Sequence, residues 1–152
     1  MVEQDARAIL LWRYDEPYNF YNPPEQCEAD YYVQQFLDPE LMFHAVVDVT
    51  DTLAGFCSYG VDGQVRGGDY TEDALDVGLG MKPELTGQGR GREFFQTILE
   101  HSKTFSAAKV RLTVATFNQR AICLYKCFGF EEDTQFFDTL SYMPYTILTR
   151  DY

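Results

Sequence analysis

The sequence predicts an α/β (α+β) fold, a mixed central sheet with helices on both faces. Two apolar runs, Met42–Val49 and Leu53–Tyr59, are separated only by the polar Thr50-Asp51-Thr52, the spacing of an antiparallel hairpin. Farther along, a strand, a glycine-rich turn and an amphipathic helix succeed one another from Ala74 to Phe105, and a second strand follows. With 152 residues, 45% hydrophobic and 16% aromatic, the chain can fill one core, so residues 1–152 are expected to form a single domain.

The elements read in order as follows. Ala8–Tyr14 is a short apolar run closed by turn residues and predicts a buried strand. The stretch after it, with Pro17, Pro23 and Pro24, is a loop. Glu25–Leu37 predicts a helix with Tyr31, Tyr32, Gln35 and Phe36 near one face, ended by Asp38-Pro39. The hairpin comes next, then a glycine-rich, acidic loop over 60–73 and a strand over Ala74–Met81. In the following helix Phe94, Phe95, Ile98, Leu99, Ser102 and Phe105 share one face, leaving Arg92, Glu93, Gln96, Glu100 and Lys103 outward. Lys109–Phe117 alternates Val110, Leu112 and Val114 against Arg111 and Thr113, a strand. Ala121–Phe128 is a short helix stopped by Gly129, and Phe130–Phe137 and Tyr142–Leu148 are closing strands. Left as an edge, the last of these would suit pairing in a homodimer.

Bulk properties remove several function classes. Twelve basic residues against 24 acidic ones give a formal charge of −12, the wrong sign for a nucleic-acid partner. That charge suits a cationic substrate, although acidity also serves solubility alone. No apolar run approaches the roughly 20 residues that span a bilayer, and the start lacks a basic leader and cleavage site. A cytoplasmic protein with no membrane association is expected. Cys27, Cys57, Cys123 and Cys127 have no metal-ligand or disulfide spacing, and His44 and His101 are isolated. No metal is expected, and the cysteines read as small packed hydrophobes.

The chemistry concentrates in Asp76–Gly91, DVGLGMKPELTGQGRG. A strand there delivers the chain to a turn that opens a helix, whose first amides lack intrahelical partners. Such amides, together with the helix dipole, bind phosphate oxygens. Gly87, Gly89 and Gly91 permit positive φ and close approach, and Arg90 and Arg92 add local positive charge. Gly78 and Gly80 in the strand would allow a bulge or a ligand close to the backbone. The G-x-G-x-G spacing lacks the G-x-G-x-x-G of dinucleotide folds, and Arg92-Glu93 stands where a P-loop has Lys followed by Ser or Thr.

The segment resembles motif A of the GNAT superfamily, the acetyl-CoA-dependent N-acetyltransferases, which reads Q/R-x-x-G-x-G/A after a strand and a proline-containing turn. Gly89-Arg90-Gly91 match its glycines, and Thr86 stands where Gln or Arg is usual, with a hydroxyl still able to donate. A second phrase, Asn118-x-x-Ala121-x-x-x-Tyr125 running into Gly129-Phe130, resembles the motif B end of the same family. The resemblance spans Asp76 to Phe130. It implies a GNAT-like, mostly antiparallel sheet in which Ala74–Met81 and Lys109–Phe117 run parallel and splay around the cofactor. It also implies that Gly87, Gln88, Gly89, Arg90, Gly91 and Arg92, helped by Thr86, hold the pyrophosphate of acetyl-CoA. Leu79, Gly80 and Met81 would pair with the pantetheine arm, and Asn118 would contact the same arm.

The reaction so implied is transfer of an acetyl or short acyl group to a primary amine by direct attack on the thioester. It requires a donor to the oxyanion, a proton for the leaving thiolate and a base for the amine. The Met81 N–H suits the first role, Tyr125 the second, and Asp76 the third, directly or through water. Each has a plainer reading: Tyr125 as a packed aromatic, Asn118 as a helix cap, Asp76 as an outward or ion-paired strand residue. Tyr14, Tyr18, Phe20, Tyr21, Tyr31 and Tyr32, with acids at Asp62, Asp69, Glu72 and Asp73, are candidates for recognising a cationic small-amine or peptide acceptor. A catalytically silent acyl-CoA sensor is the alternative from another class, and a nucleotide-binding domain a third.

Overall fold

The computed structural model describes residues 1–23 and 28–152. Its elements are α1 (Glu3–Leu10), α2 (Ala29–Leu37), β1 (His44–Val47), β2 (Leu53–Tyr59), β3 (Leu75–Met81), α3 (Gly91–Ser102), β4 (Lys109–Ala115), α4 (Gln119–Cys127), β5 (Glu131–Phe137) and β6 (Pro144–Asp151). The strands form a six-stranded, mixed, mostly antiparallel sheet in the order β1-β2-β3-β4-β6-β5, flanked by helices. The chain packs as two compact units, one of Met1–Ser58 with Leu79–Phe95, the other of Tyr59–Gly78 with Gln96–Tyr152. No helix among the described residues is long and apolar enough to cross a membrane.

In the first unit the expected strand over Ala8–Tyr14 is replaced by α1. Reading from Ala8 omits Ala6, which with Ile9 and Leu10 forms a buried face at helical spacing. The Asp5 carboxylate accepts from the Val2 N–H at 3.2 Å, and Arg7 bridges to Glu3 at 2.7 Å and to Asp30 at 2.9 Å. The predicted helix over Glu25–Leu37 is present from Ala29; Glu25, Gln26 and Cys27 lie outside the described residues. Val33 is its buried residue, with Tyr32 and Phe36 packed beside Ala6 and Leu10, while Tyr31 is exposed. A cluster of rings continues that core: Phe36 lies 4.7 Å from Phe43 and 5.7 Å from Phe56, and Trp12 6.2 Å from Phe56.

The hairpin pairs His44 with Cys57 and Val47 with Leu53. Asp48 closes its turn. Hydrogen bonds from the Thr50 hydroxyl, then from the Thr52 and Thr50 amides, hold its carboxyl below the usual carboxylate range. Two bonds bracket an antiparallel pairing of β2 with β3: Lys82 N–H to the Ala54 carbonyl and Gly60 N–H to the Asp76 carbonyl, both 2.8 Å.

In the second unit β3 runs parallel to β4, pairing Leu75 with Val110 and Asp76 with Arg111. Strand β4 is buried on both faces, as a central strand should be. Arg111, expected to point outward, is 3% exposed, because Asp76 supplies a buried partner. β6 pairs with β4 on one side and β5 on the other, so its backbone is not an edge available for dimer pairing. The edge is β5, exposed from Glu131 to Gln135 and bulged between Glu132 and Thr134, features that discourage strand addition. Cys57 is buried, but Cys123 and Cys127 are exposed on α4 rather than packed.

Arg111 is the side chain most exposed to disruption by mutation here. Arg111→Leu strands the Asp76 carboxylate in the core and should cost about 3–5 kcal/mol, whereas the Asp76→Leu/Arg111→Leu double variant should lose less than Arg111→Leu alone. Urea denaturation of the three variants measures both quantities.

Candidate active site

The first unit contains the glycine turn. Strand β3 ends at Met81, Pro83 sets the next φ, and Pro83–Leu85 makes one tight turn. Leu85 N–H donates to the Lys82 carbonyl at 2.9 Å and Thr86 N–H to the Pro83 carbonyl at 3.1 Å. The side chains close the same turn. Thr86 Oγ1 donates to the Pro83 carbonyl at 2.7 Å and Gln88 Nε2 to the Glu84 carbonyl at 2.6 Å. The Thr86 hydroxyl proton is therefore engaged within the protein rather than held toward a ligand.

What the turn leaves open is backbone. The amides of Gly87, Gln88, Gly89, Arg90 and Gly91 have no acceptor among the described residues. Gly87 has φ +73° and Gly89 +76°, while Gln88 and Arg90 between and after them have negative φ. Alternation of this kind is the backbone pattern of an anion-binding nest. A Cβ on either glycine would meet no atom within 4 Å, so it is backbone conformation, not crowding by the protein, that requires glycine here. The nest leads into α3, whose first i→i−4 bond is Phe94 N–H to Arg90 carbonyl at 3.1 Å. The dipole of α3 and the exposed Arg90 and Arg92 add positive potential at the same end.

Gly80 has a different reason to be glycine. Its Cβ would lie 2.5 Å from the Phe56 ring, so on that face the strand is covered by a protein side chain. Leu79, Gly80 and Met81 form the end of β3, and the Met81 carbonyl already accepts from Tyr14 Oη at 2.7 Å.

The second unit contains Asp76, Asn118 and Tyr125. Asn118 caps α4, its side chain accepting from the Ala121 N–H at 3.2 Å. Tyr125 is 6% exposed on the same helix face as Ile122. The Tyr-x-x-x-Gly-Phe phrase is physically a helix stop. The Tyr125 carbonyl accepts from Phe128 and Phe130 amides at 2.9 and 3.2 Å, Gly129 turns the chain at φ +81°, and Phe130 is buried 6.4 Å from the Tyr125 ring.

Asp76 takes the ion-paired position that was the plainer of its two readings. It is 3% exposed, and its oxygens accept from Arg111 Nε at 2.6 Å, Arg111 Nη2 at 2.8 Å and Gln64 Nε2 at 2.8 Å. Both of its oxygens are thus engaged within the protein. Arg111, held above its ordinary range chiefly by the Asp76 hydrogen bonds, also donates to the Glu72 carbonyl at 3.0 Å and stacks 4.9 Å over Tyr70. Sequence reading missed Arg111, Gln64 and Tyr70. An arginine on a strand otherwise lined with Val and Leu was the available signal, since a buried strand holds a cation only beside an anion.

The acidic loop is partly committed as well. Asp69 accepts from Thr71, and Glu72 pairs with Lys109 at 2.6 Å. Of the aromatics, Tyr32 packs in the core and Tyr14 binds Met81, while Phe20, Tyr21 and Tyr31 are exposed. His101 is an exposed α3 residue 5.5 Å from the Tyr59 ring. Among the described residues no cluster of His, Cys, Asp and Glu could hold a metal.

The model of the Acetyltransferase (GNAT) family matches residues 4–130. No curated protein matches the sequence. Among solved structures, a chimera of Vibrio cholerae spermidine N-acetyltransferase SpeG and hSSAT has a TM-score of 0.76 at 20% identity, covering 99% of this chain and 92% of that one. The putative acetyltransferase yncA of Salmonella typhimurium, solved with acetyl-CoA, has a TM-score of 0.69 at 16% identity, covering 99% and 90%. A putative acetyltransferase of Acinetobacter baylyi gives 0.69 at 14% identity, covering 100% and 90%. With a family model spanning residues 4–130, the chain belongs to the GNAT acetyltransferase family and is an acyltransferase of that type.

Proposed function

We propose that this protein transfers an acetyl group from acetyl-CoA to a primary amine of a cationic small molecule, by direct attack of the amine on the thioester. The observation that carries the reading is the set of open amides from Gly87 to Gly91, alternating in the sign of φ at the start of α3. Phosphate oxygens are hard, multiply charged acceptors, and this backbone offers converging donors with Arg90 and Arg92 nearby. Residues 1–152 serve one activity in this reading.

Bound acetyl-CoA supplies an activated acyl carbon and a thiolate leaving group. The chain supplies the rest. The nest binds the pyrophosphate, and the backbone of Leu79, Gly80 and Met81 aligns the pantetheine arm. The Met81 N–H donates to the carbonyl oxygen as negative charge develops there. Asn118 fixes the first turn of α4, and so the rotation of the helix that carries Tyr125. Tyr125 Oη gives a proton to the departing sulfur, a step for which a neutral phenol is suited at neutral pH. With Asp76 paired to Arg111 and Gln64, the amine loses its proton to water.

Two features support a cationic acceptor. The formal charge of −12 favours accumulation of cations at the protein surface, an effect that weakens with salt. Several structurally similar proteins are spermidine N-acetyltransferases by name. A polyamine is therefore the first acceptor to try.

Gly87→Val and Gly89→Val should each weaken CoA binding about tenfold or more, since a β-branched residue resists positive φ, while the fold persists because no neighbour is struck. Calorimetric titration with CoA and the melting temperature separate the two effects. Tyr125→Phe should lower kcat about 100-fold and leave CoA affinity near wild type. Thiol release from acetyl-CoA with spermidine, spermine and simple monoamines checks this. Tight CoA binding with no turnover of any amine would instead identify a non-catalytic acyl-CoA binder.

A further inference from the structure

We infer that Tyr14 is a positioning residue for the donor-binding turn, fixing the single peptide through which the chain leaves β3 and enters Pro83–Gly91. The inference rests on the reading of Gly87–Gly91 as the pyrophosphate site.

The peptide joining Met81 to Lys82 is held at both of its polar ends. Its carbonyl oxygen accepts from Tyr14 Oη at 2.7 Å, and its N–H donates to the Ala54 carbonyl at 2.8 Å. A peptide plane bonded at oxygen and hydrogen cannot swing about its flanking Cα bonds without breaking one of them. Lys82 accordingly sits at φ −50°, ψ 130°, the extended conformation required before proline, and the Pro83 ring fixes the next φ. Beyond Pro83 the turn is closed by its own bonds, from Leu85, Thr86 and Gln88. It is thus a small rigid body, and its direction out of the strand is decided at one peptide.

Tyr14 is itself anchored. Its N–H donates to Asn22 Oδ1 at 2.6 Å and its carbonyl accepts from Asn22 Nδ2 at 3.2 Å, so one amide side chain engages both backbone groups as a paired strand would. The intervening chain folds into a tight turn over Tyr18–Tyr21, begun by Tyr18 and Asn19 amides on the Asp15 carbonyl. Asn22 thereby holds Tyr14, and Tyr14 holds Met81.

This arrangement bears on binding rather than on bond making. Phosphate oxygens are held well only while the nest amides converge, and a tilt of the rigid turn misdirects all of them together. The Met81 N–H assigned to the reacting carbonyl belongs to the preceding peptide, which Tyr14 does not touch. Loss of one neutral hydrogen bond corresponds to about a three- to tenfold effect on an equilibrium, and it should fall on donor affinity.

The test compares Tyr14→Phe, Asn22→Ala and the double variant in the full chain. Acetyl-CoA titrations should show KM and the CoA Kd raised about three- to tenfold in each, with kcat and the KM for spermidine within about twofold of wild type. The double variant should be no worse than the weaker-binding single one, because both residues act through one bond. Amide hydrogen exchange should quicken in peptides covering residues 79–92 and stay unchanged over 109–151. Unchanged donor affinity with unchanged exchange in Tyr14→Phe would overturn the proposal, as would a loss confined to kcat. If wild type fails to bind CoA at all, the pyrophosphate reading falls, while faster exchange over 79–92 would still establish the Tyr14 clamp.

Discussion

The bidentate contact between Asp76 and Arg111 joins β3 to β4 at a point where the two residues are also register partners in the parallel ladder. Removing both charges from water costs several kcal/mol per ion, which the mutual attraction offsets only if the remaining donors are also satisfied. Here they are. Gln64 donates to the carboxylate, the Glu72 carbonyl accepts from Nη1, and Tyr70 lies under the guanidinium while its hydroxyl meets the Val65 amide and Thr113. One ion pair thus organises the whole polar segment from Gln64 to Glu72, a stretch with little apolar content of its own. Asp76, a candidate base in the sequence, is in the fold the anion that balances a buried arginine.

The glycines of this chain divide by physical cause. Gly55 and Gly80 are small because aromatic rings lie on them: a Cβ would stand 2.4 Å from Phe94 and 2.5 Å from Phe56. Gly87 and Gly89 have empty space where a side chain would go and are glycine for their positive φ. Gly129, at φ +81° with equally open space, is of the second kind too and ends α4, so positive φ alone does not mark a ligand site. A glycine-rich segment is therefore not a uniform signal, and the cofactor reading rests on two residues rather than on the cluster.

Much of the apparent polarity of the turn is self-directed. Thr86 and Gln88 bond to carbonyls within it, so their side chains serve the turn itself. Backbone donors on a self-closed turn are preorganised, with little ordering entropy to lose on binding. Tyr14, far away in sequence, donates its hydroxyl hydrogen to the carbonyl of the peptide that leads into this turn.

By itself the sequence determined whatever depends on near neighbours along the chain. Phe94, Phe95, Ile98, Leu99 and Ser102 are buried on α3 as their spacing dictates, Gly129 stops α4, and the hairpin closes over Thr50–Thr52, because each of these is settled within a few residues. The tertiary structure decided what depends on a distant partner. Whether Asp76 is a base or an ion pair turns on Arg111, 35 residues away. What the buried face of α1 packs against turns on Val33 of α2. Whether β6 is an edge turns on β5 laid beside it. Short apolar runs satisfy both periodicities, and a charged side chain takes its role from the charge it meets, so these choices were made only when the chain closed on itself.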